Sequence, residues 1–500
     1  MHHFNLSAGR NKIAQYLNKN PMDFSKADIV RYVEDHNIEF LNFNYIGEDG
    51  KLKTLNFIIT DKEHLDSILS LGERIDGSSI FSDIKAGKGD LYIIPRYYTA
   101  YLNPFEEHPT IDILCSFFTK DGKPLESAPE YILKKSVADF EEKTGYKFRA
   151  MGELEYYVIG NKDDLYPVEN QKGYHSAAPF TKFEQLRREA MFLIAQCGGV
   201  LKYGHSEVGA FYDDDNYYEQ HELEFLPVEP EKAVEDLIIA KWILRMLGKK
   251  YGLTITYAPK ILKGKAGSGL HIHMLLEKDG KNMMIEDEDL SDDAKKMMAG
   301  ILQLSKSLTA FGNTVPISFL RLVKHQEAPT RICWGYSNRA ALIRVPLAWV
   351  ARTNMLRTAN PQQKDEIPYI PGKQTVEYRA SDGSADLYHL LACIVLAAKN
   401  GLISDDSLDV AKKLFISSDD KNDSSEDIDR FEDLPGSCHE AAMWLEKGRD
   451  IYEKDGIFPK RTIDKFIRKL RAYNDEKLSE EIDKPGFDLL QFIGRYLHNS

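Results

Sequence analysis

Four short segments place polar residues two positions apart in apolar surroundings. They are Glu153 and Glu155 in Met151-Gly-Glu-Leu-Glu-Tyr-Tyr-Val-Ile, Glu222 and Glu224 alternating with Leu223 and Phe225, His271 and His273 in Gly269-Leu-His-Ile-His-Met, and Glu377 and Arg379 in Val376-Glu-Tyr-Arg. Alternate residues of a strand share a face, so each pair points one way. A single pair reads equally well as a solvated strand edge or a satisfied structural contact. Gathered together, several carboxylates in apolar sequence repel one another unless cations lie among them. Hard divalent ions such as Mg²⁺ or Mn²⁺ take carboxylate oxygens, and an imidazole shifts the preference slightly toward Mn²⁺.

Arginines form the second signal. Arg321, Arg331, Arg339, Arg344 and Arg379 lie in a stretch rich in proline and aromatics. Asn338-Arg-Ala-Ala-Leu-Ile-Arg-Val-Pro sets two of them around an apolar core, which suggests inward guanidinia. Arginine forks grip carboxylate and phosphate in bidentate fashion. Carboxylates with metal ions plus arginines are what phosphoryl transfer from a metal-nucleotide requires. No Walker A, GxSxG, HExxH or kinase HRD and DFG set occurs, and Gly267-Ser-Gly269 is a lone glycine turn.

Elements must hold these residues in place. Glu39–Tyr45 and Lys53–Ile59 read as strands joined by the turn Gly47-Glu-Asp-Gly50, after a helix over 28–37. Leu91–Ile94 and Thr110–Phe118 are further strands, closed by the turn Lys120-Asp-Gly-Lys123. Glu231–Leu247 and Ala385–Lys399 read as helices, 417–429 as a charged, serine-rich loop, and the last fifty residues as helical. The expected organisation is an arm or helix over 1–29, a small β-rich domain over 30–122 and a large domain over 123–500. At 500 residues with 43 % apolar and 11 % aromatic content, the chain can bury a substantial core. Lys plus Arg number 65 against 78 Asp plus Glu, a formal charge of −13, which argues against nucleic acid or an anionic membrane as partner. Five scattered cysteines make no CxxC pair. The N-terminus has no apolar signal core, and the apolar run Leu390–Ala398 is too short to cross a bilayer. A cytoplasmic protein is expected.

These motifs, in this order, resemble the glutamine synthetase family, nearest its prokaryotic type I members, from about residue 40 to about residue 450. Asp76-Gly-Ser-Ser79 with Asp90, Glu153-Leu-Glu155, His205-Ser-Glu207-Val, Gln220-His-Glu222-Leu and Gly267-Ser-Gly-Leu-His271-Ile-His273 carry the resemblance. So do Arg321, Glu327-Ala-Pro, Asn338-Arg339 through Arg344-Val-Pro346, Glu377-Tyr-Arg379 with Asp382, and Leu434-Pro435 with Glu440-Ala441. The resemblance implies an α+β fold: a small β-grasp N-terminal domain and a large catalytic domain whose antiparallel sheet forms a funnel with surrounding helices. It implies a homo-oligomer, usually a dodecamer of two hexameric rings, in which the Asp76 loop closes a neighbour's site.

The implied reaction joins ammonia to L-glutamate at the expense of ATP through γ-glutamyl phosphate. By the resemblance, two or more Mg²⁺ or Mn²⁺ ions occupy each site. Glu155, Glu207 and Glu222 hold the ion beside glutamate, and Glu153, His271 and Glu377 the ion on the ATP phosphates. Gly267, Arg321, Arg339, Arg379, Tyr174 and Asp90 bind substrate, and Arg339, Arg344 and His273 meet the nucleotide. Asp76 takes the ammonium proton, Arg339 assists phosphoryl transfer, and Glu327 shields the intermediate and binds substrate. Ala266, Leu275, Thr375, Lys202, Arg96 and the segment Val323-Lys-His-Gln depart from the family's pattern. Ala266 and the altered 323–326 segment leave open a γ-glutamyl-amine ligase taking a polyamine or monoamine; the third reading, a catalytically silent homologue, is opposed by the retained metal positions. Where some members accept AMP on a tyrosine before the Leu-Pro of that segment, this chain has Phe431.

Overall fold

The computed structural model describes residues 9–82, 84, 89–163, 165–323, 328–347, 355–364, 373–417 and 430–498. Glu327 and the acidic stretch 418–429 lie outside the described residues. The N-terminal sheet is built from β1 (Phe40–Ile46), β2 (Leu52–Ile58), β3 (Glu73–Asp76), β4 (Asp90–Pro95), β5 (Tyr101–Leu102) and β6 (Thr110–Thr119). Its order is β2-β1-β6-β4-β3, with β5 on β6, and β1 runs parallel to β6 while the other pairs are antiparallel. The helices Lys26–His36 and Lys62–Leu71 supply Ile29, Tyr32, Val33, Leu65, Ile68 and Leu69 to its core. Asp61 caps the second helix by accepting from His64 N at 2.8 Å.

The second sheet positions the chemistry. Its long strands are β7 (Lys147–Asn161), β8 (Leu201–Tyr212) and β9 (Asn216–Phe225), followed by β10 (Thr254–Thr256), β11 (Leu270–Lys278) and β12 (Lys281–Asn282). A small hairpin, β13 (Ile285–Glu286) with β14 (Asp289–Leu290), stands apart. β15 (Arg331–Tyr336), β16 (Ala341–Val345) and β17 (Val376–Tyr378) complete the set. The order is β15-β16-β17-β11-β7-β9-β8, with β10 on β7 and β12 on β11. All of its pairs are antiparallel except β15 with β16, which run parallel, so the expected antiparallel sheet carries one parallel edge.

The other face of this sheet is packed by helices. Pro230–Tyr251 begins with proline at its first position, ends on Gly252 in the left-handed conformation, and carries Glu231 in its first turn and Lys249 and Lys250 in its last. Asp292–Gly312 is capped by Ser291, whose hydroxyl accepts from Ala294 N. It crosses the apolar helix Leu387–Ile403 where Gly300 meets Gly401, and a side chain on either would strike the other helix's backbone. No single helix among the described residues is long and apolar enough to cross a membrane. The five cysteines are buried and free. Phe431 is buried against Cys333, Ala341 and Ile416. Tyr452, the next candidate acceptor along the chain, is fully buried with its hydroxyl 2.6 Å from that of Ser307.

The two sheets' territories are fastened by polar contacts. Arg96 pairs with buried Glu235, to which Tyr98 also donates at 3.0 Å. Glu48 accepts from Ser82 N at 2.6 Å and from Lys465 Nζ at 2.8 Å, which ties the segment after the Asp76 loop to the helix Lys460–Arg471.

Candidate active site

Strand register assembles the polar pairs into rows on one face of the second sheet. His271 of β11 stands opposite Glu153 of β7, which stands opposite Glu224 of β9. One step along, Glu155 of β7 faces Glu222 of β9, which faces His205 of β8. On the other flank His273 faces Glu377 of β17, and Glu377 faces Arg344 of β16. Cross-strand neighbours have Cβ atoms about 5 Å apart, close enough for their side chains to share a ligand.

Distances follow from that grid. His271 Nδ1 lies 3.0 Å from Glu153 Oε2 and 3.3 Å from Glu377 Oε1, and its Nε2 lies 3.8 Å from Glu155 Oε1. His273 Nε2 lies 2.8 Å from Glu153 Oε1 without the alignment of a hydrogen bond, while Thr375 Oγ1 meets its Nδ1 at 2.9 Å. His205 Nε2 is 3.3 Å from Glu222 Oε1, and its Nδ1 is 3.5 Å from Glu207 Oε1. Glu155 accepts from Gly269 N at 2.6 Å and from Gln220 Nε2 at 3.2 Å. A Cβ at Gly269 would meet Arg321 Nη2 and His271 Nε2, so any side chain there displaces both from their present positions.

Electrostatics test whether cations fit. Burial, then the charges of Glu153, Glu155, Glu207 and Glu224, push the Glu222 carboxyl well above the usual carboxylate range. Burial opposes ionisation of Glu153 as well, but His273 and His271 outweigh it and hold that carboxyl well below its ordinary value. At Glu377 burial and the Glu153 charge work upward and lose to His273, His271 and Arg379, so the net shift is downward. Burial depresses the His273 imidazole, yet Glu153 and then Glu377 raise it on balance. Burial lowers His205. A carboxyl crowded as Glu222 is needs either a proton or a cation. Three groups among the described residues bring one ligand atom each to within 4.8 Å of the others: Glu153, His273 and Glu377; Glu153, Glu222 and His271; His205, Glu207 and Glu222. Their oxygen and imidazole donors, with no thiolate, suit Mg²⁺ or Mn²⁺.

Cationic side chains ring this wall. Arg344 Nη1 and Arg379 Nε each lie 2.9 Å from Glu377, and Arg379 also donates to the Arg339 carbonyl. Arg321 is buried among the carbonyls of Ala380 (2.9 Å), Ser381 (3.2 Å) and Arg379 (3.2 Å), with Nη2 3.5 Å from His271 Nε2. Burial lowers its pKa. The Arg339 guanidinium sits 5.9 Å over the half-exposed Tyr174 ring. Arg331 turns away, donating to Phe431 O at 3.0 Å and pairing with Asp433. A cavity of about 220 Å³ opens beside the wall, lined by Glu155, Glu207, Gln220, Gly267, Arg321 and Arg379 among others.

Asp76 and Asp90 sit elsewhere, on the N-terminal sheet. They face each other across β3 and β4, both exposed. Asp76 accepts from Ser78 N (2.9 Å), Ser78 Oγ (2.7 Å) and Ser79 Oγ (2.8 Å), and these bonds lower its pKa. Asp90 lies 3.6 Å from Arg74. The departures have local partners: Lys202 Nζ is 2.5 Å from buried Glu224, Leu275 is buried, and the Ala266 backbone bonds Gln171 and Tyr157.

Sequence reasoning overlooked His205 and Gln220 as members of the array. Both stand two residues before a carboxylate already singled out, Glu207 and Glu222, and so share its face; that spacing was the available signal.

The chain matches two family models, "Glutamine synthetase, beta-Grasp domain" over residues 37–120 and "Glutamine synthetase, catalytic domain" over residues 126–488. It is 30 % identical over 446 residues to the glutamine synthetase of Pyrococcus furiosus, covering 88 % of this chain and 92 % of that one. It is 29 % identical over 449 residues to that of Thermotoga maritima, covering 85 % and 93 %. The structure of Plasmodium falciparum glutamine synthetase superposes with a TM-score of 0.73 at 20 % identity, over 91 % of this chain and 97 % of that one. The chain belongs to the glutamine synthetase family of ATP-dependent ligases.

Proposed function

We propose that this chain joins ammonia to the γ-carboxylate of L-glutamate, giving L-glutamine, ADP and phosphate. The observation that carries the reading is the wall of candidate ligands that includes Glu153, Glu207, Glu222, His271 and Glu377, beside a cavity of amino-acid size lined by Glu155, Arg321 and Arg379. A carboxylate is a poor acceptor for an amine because its leaving group is poor. Transfer of the γ-phosphoryl group of ATP to a glutamate carboxylate oxygen gives an acyl phosphate and releases ADP. Ammonia then attacks the acyl carbon, and phosphate departs with the C–O bond's electron pair.

In this reading Glu155, Glu207 and Glu222 hold one divalent ion, and Glu153, His271 and Glu377 another. Such ions, when bound, offset charge on the transferring phosphoryl oxygens. Arg339 and Arg344 bring further positive charge to those oxygens, and His273 lines the nucleotide side. Arg321, Arg379, Gly267 and Tyr174 orient glutamate, fixing the attacking oxygen in line. Asp76, with Asp90 and Glu327 near ammonium, takes the proton that makes ammonia nucleophilic.

Asp76 belongs to the small sheet, apart from the candidate metal wall, which supports sites shared between subunits of a homo-oligomer; the resemblance implies a dodecamer of two hexameric rings. Reassembled mixtures of Asp76→Ala and Glu377→Ala subunits, each inactive alone, then recover part of the activity, and full inactivity of properly mixed rings overturns the sharing.

The deciding assay is phosphate release from ATP with glutamate and ammonium, against a panel of monoamines and polyamines. Glutamine formed in step with phosphate supports the reading. Faster turnover with a larger amine assigns a γ-glutamyl-amine ligase instead, and no release with any amine sinks both.

A further inference from the structure

We propose that His205 is a metal ligand of the site formed with Glu207 and Glu222, and that it biases this site toward Mn²⁺ and later divalent transition ions over Mg²⁺. The inference rests on the reading of Glu207 and Glu222 as metal-holding residues. It adds a nitrogen donor where the resemblance implies only carboxylates.

Geometry distinguishes the two ring nitrogens. His205 Nδ1 lies 3.2 Å from the Ser206 backbone carbonyl, which accepts a proton and lacks one to give. Glu207 Oε1, 3.5 Å from the same nitrogen, is a second acceptor beside it, so a proton on Nδ1 satisfies both and leaves the lone pair on Nε2. That lone pair faces Glu222 Oε1 at 3.3 Å. Two acceptors turned on each other at this distance are repulsive unless something positive lies between them. Two ligand atoms each about 2.1 Å from a shared ion stand about 3.0 to 3.4 Å apart in octahedral to tetrahedral arrangements. The Nε2–Oε1 separation falls in that range. A backbone carbonyl on the far nitrogen is the usual device for orienting a histidine ligand.

The surroundings favour a neutral, stationary ring. The imidazole is held in an aromatic box, its centroid 4.3 Å from His175, 5.6 Å from Tyr174 and 5.7 Å from Tyr203. Its side chain is 15 % exposed, beside Glu207 at 12 % and Glu222 at 9 %. Strand register makes His205 and Glu222 direct cross-strand partners, so the two side chains share one face. Imidazole nitrogen binds Mn²⁺, Co²⁺ and Zn²⁺ well and Mg²⁺ poorly, whereas carboxylates serve all of them. Adding this nitrogen to the oxygen donors therefore alters selectivity more than overall affinity.

The test uses the full-length protein stripped of metal and titrated calorimetrically with Mn²⁺ and, separately, with Mg²⁺. The expected result for His205→Gln is a fall in Mn²⁺ affinity of about ten-fold or more, with Mg²⁺ affinity changed less than about two-fold. Pulsed EPR on the Mn²⁺ form loses one ¹⁴N coupling, a readout independent of turnover. His205→Asn, a smaller change, shifts the Mn²⁺ to Mg²⁺ ratio in the same direction and covers a folding failure of the first variant. An unchanged ratio in both variants, or an unchanged ¹⁴N spectrum, overturns the proposal and leaves His205 as a proton-sharing partner of Glu222. Glu222→Gln separates the two levels: if it leaves both affinities intact, the metal reading of the site itself has failed.

Discussion

In β6, Asp112 is 2 % exposed, yet four side chains donate to it: Asn42 at 2.8 Å, Asn44 at 2.9 Å, Asn103 at 3.2 Å and Tyr101 at 3.3 Å. In β9, Glu222 is 7 % exposed among four other carboxylates. Burial raises the pKa of both groups. At Asp112 the neutral donors pull it back. At Glu222 the neighbouring charges push it further. Asp112 is surrounded by donors that satisfy it within the fold; Glu222 is surrounded by competitors whose charge a cation would offset, as the proposed metal site requires. The difference lies in what the adjoining strands present: Asn42 and Asn44 from β1, against Glu153, Glu155 and Glu207 from β7 and β8.

The largest effect expected from breaking this contrast is Glu222→Gln. The change keeps shape and removes one charge. Turnover falls by at least about 10²-fold, on the scale of losing one preorganised electrostatic group, while the metal-free protein unfolds at the same temperature or higher. Phosphate-release kinetics beside calorimetry checks both halves, and a strongly lowered midpoint breaks the contrast.

Asp112→Ala is the mirror experiment. Its Asn and Tyr donors lose their acceptor, at a cost of about 3 kcal/mol in stability, while turnover per folded molecule stays within a factor of two. Urea unfolding with active-site-normalised rates measures this, and a selective loss of turnover at unchanged stability gives Asp112 a role beyond the fold.

Added Mn²⁺ sharpens the same comparison. At a concentration one hundred times the dissociation constant it stabilises the native state by about 2.7 kcal/mol. Asp112→Ala keeps that increment and Glu222→Gln loses most of it. Thermal midpoints with Mn²⁺ and with a chelator decide, and an equal increment in the two variants rejects the contrast.

The same comparison shows what was legible in the sequence. Asn42 and Asn44 have the same i, i+2 spacing as Glu153 and Glu155, and nothing local marks one pair as structural. Alternation tells which residues share a face; it does not tell which strands adjoin. Neither the Glu155–Glu222–His205 row nor the Asn42–Asp112 pairing is therefore readable, because register comes from contacts far apart in the chain. Short strands bounded by Gly-containing turns were readable, as β1 and β2 against 39–45 and 53–59 show. The helix over 231–247 was readable too, but it runs on through Tyr251 to the Gly252 cap. His205 and Glu207 share the i, i+2 spacing, but only the pairing of β8 with β9 sets His205 beside Glu222.

A third kind of buried ion yields the smallest prediction. Lys241 has neither the full set of partners that Asp112 has nor the four like charges that surround Glu222. Its Nζ donates to Gly383 O at 2.8 Å and lies 5.1 Å from the Tyr257 ring, which Arg245 also covers. Burial, then the Arg245 charge, lowers its pKa from 10.5 to about 7, with Asp382 and Asp386 only partly restoring it. The sign follows from proton counting. Below pH 7 folded and unfolded chains both carry the proton, and the buried charge is a constant cost. Between 7 and 10.5 the unfolded chain keeps a proton that the folded one has released, so stability rises with pH. The ceiling is about 1.4 kcal/mol per pH unit, and partial solvent access makes about half of that the realistic slope. Lys241→Met removes this term. Its stability advantage over the parent is greatest at pH 6.5 and shrinks steadily by pH 9, without change in turnover. Paired urea titrations at half-unit steps read the difference directly. Two curves that stay parallel across that window place a charged Lys241 in the folded protein and require a counter-charge at the Gly383 carbonyl.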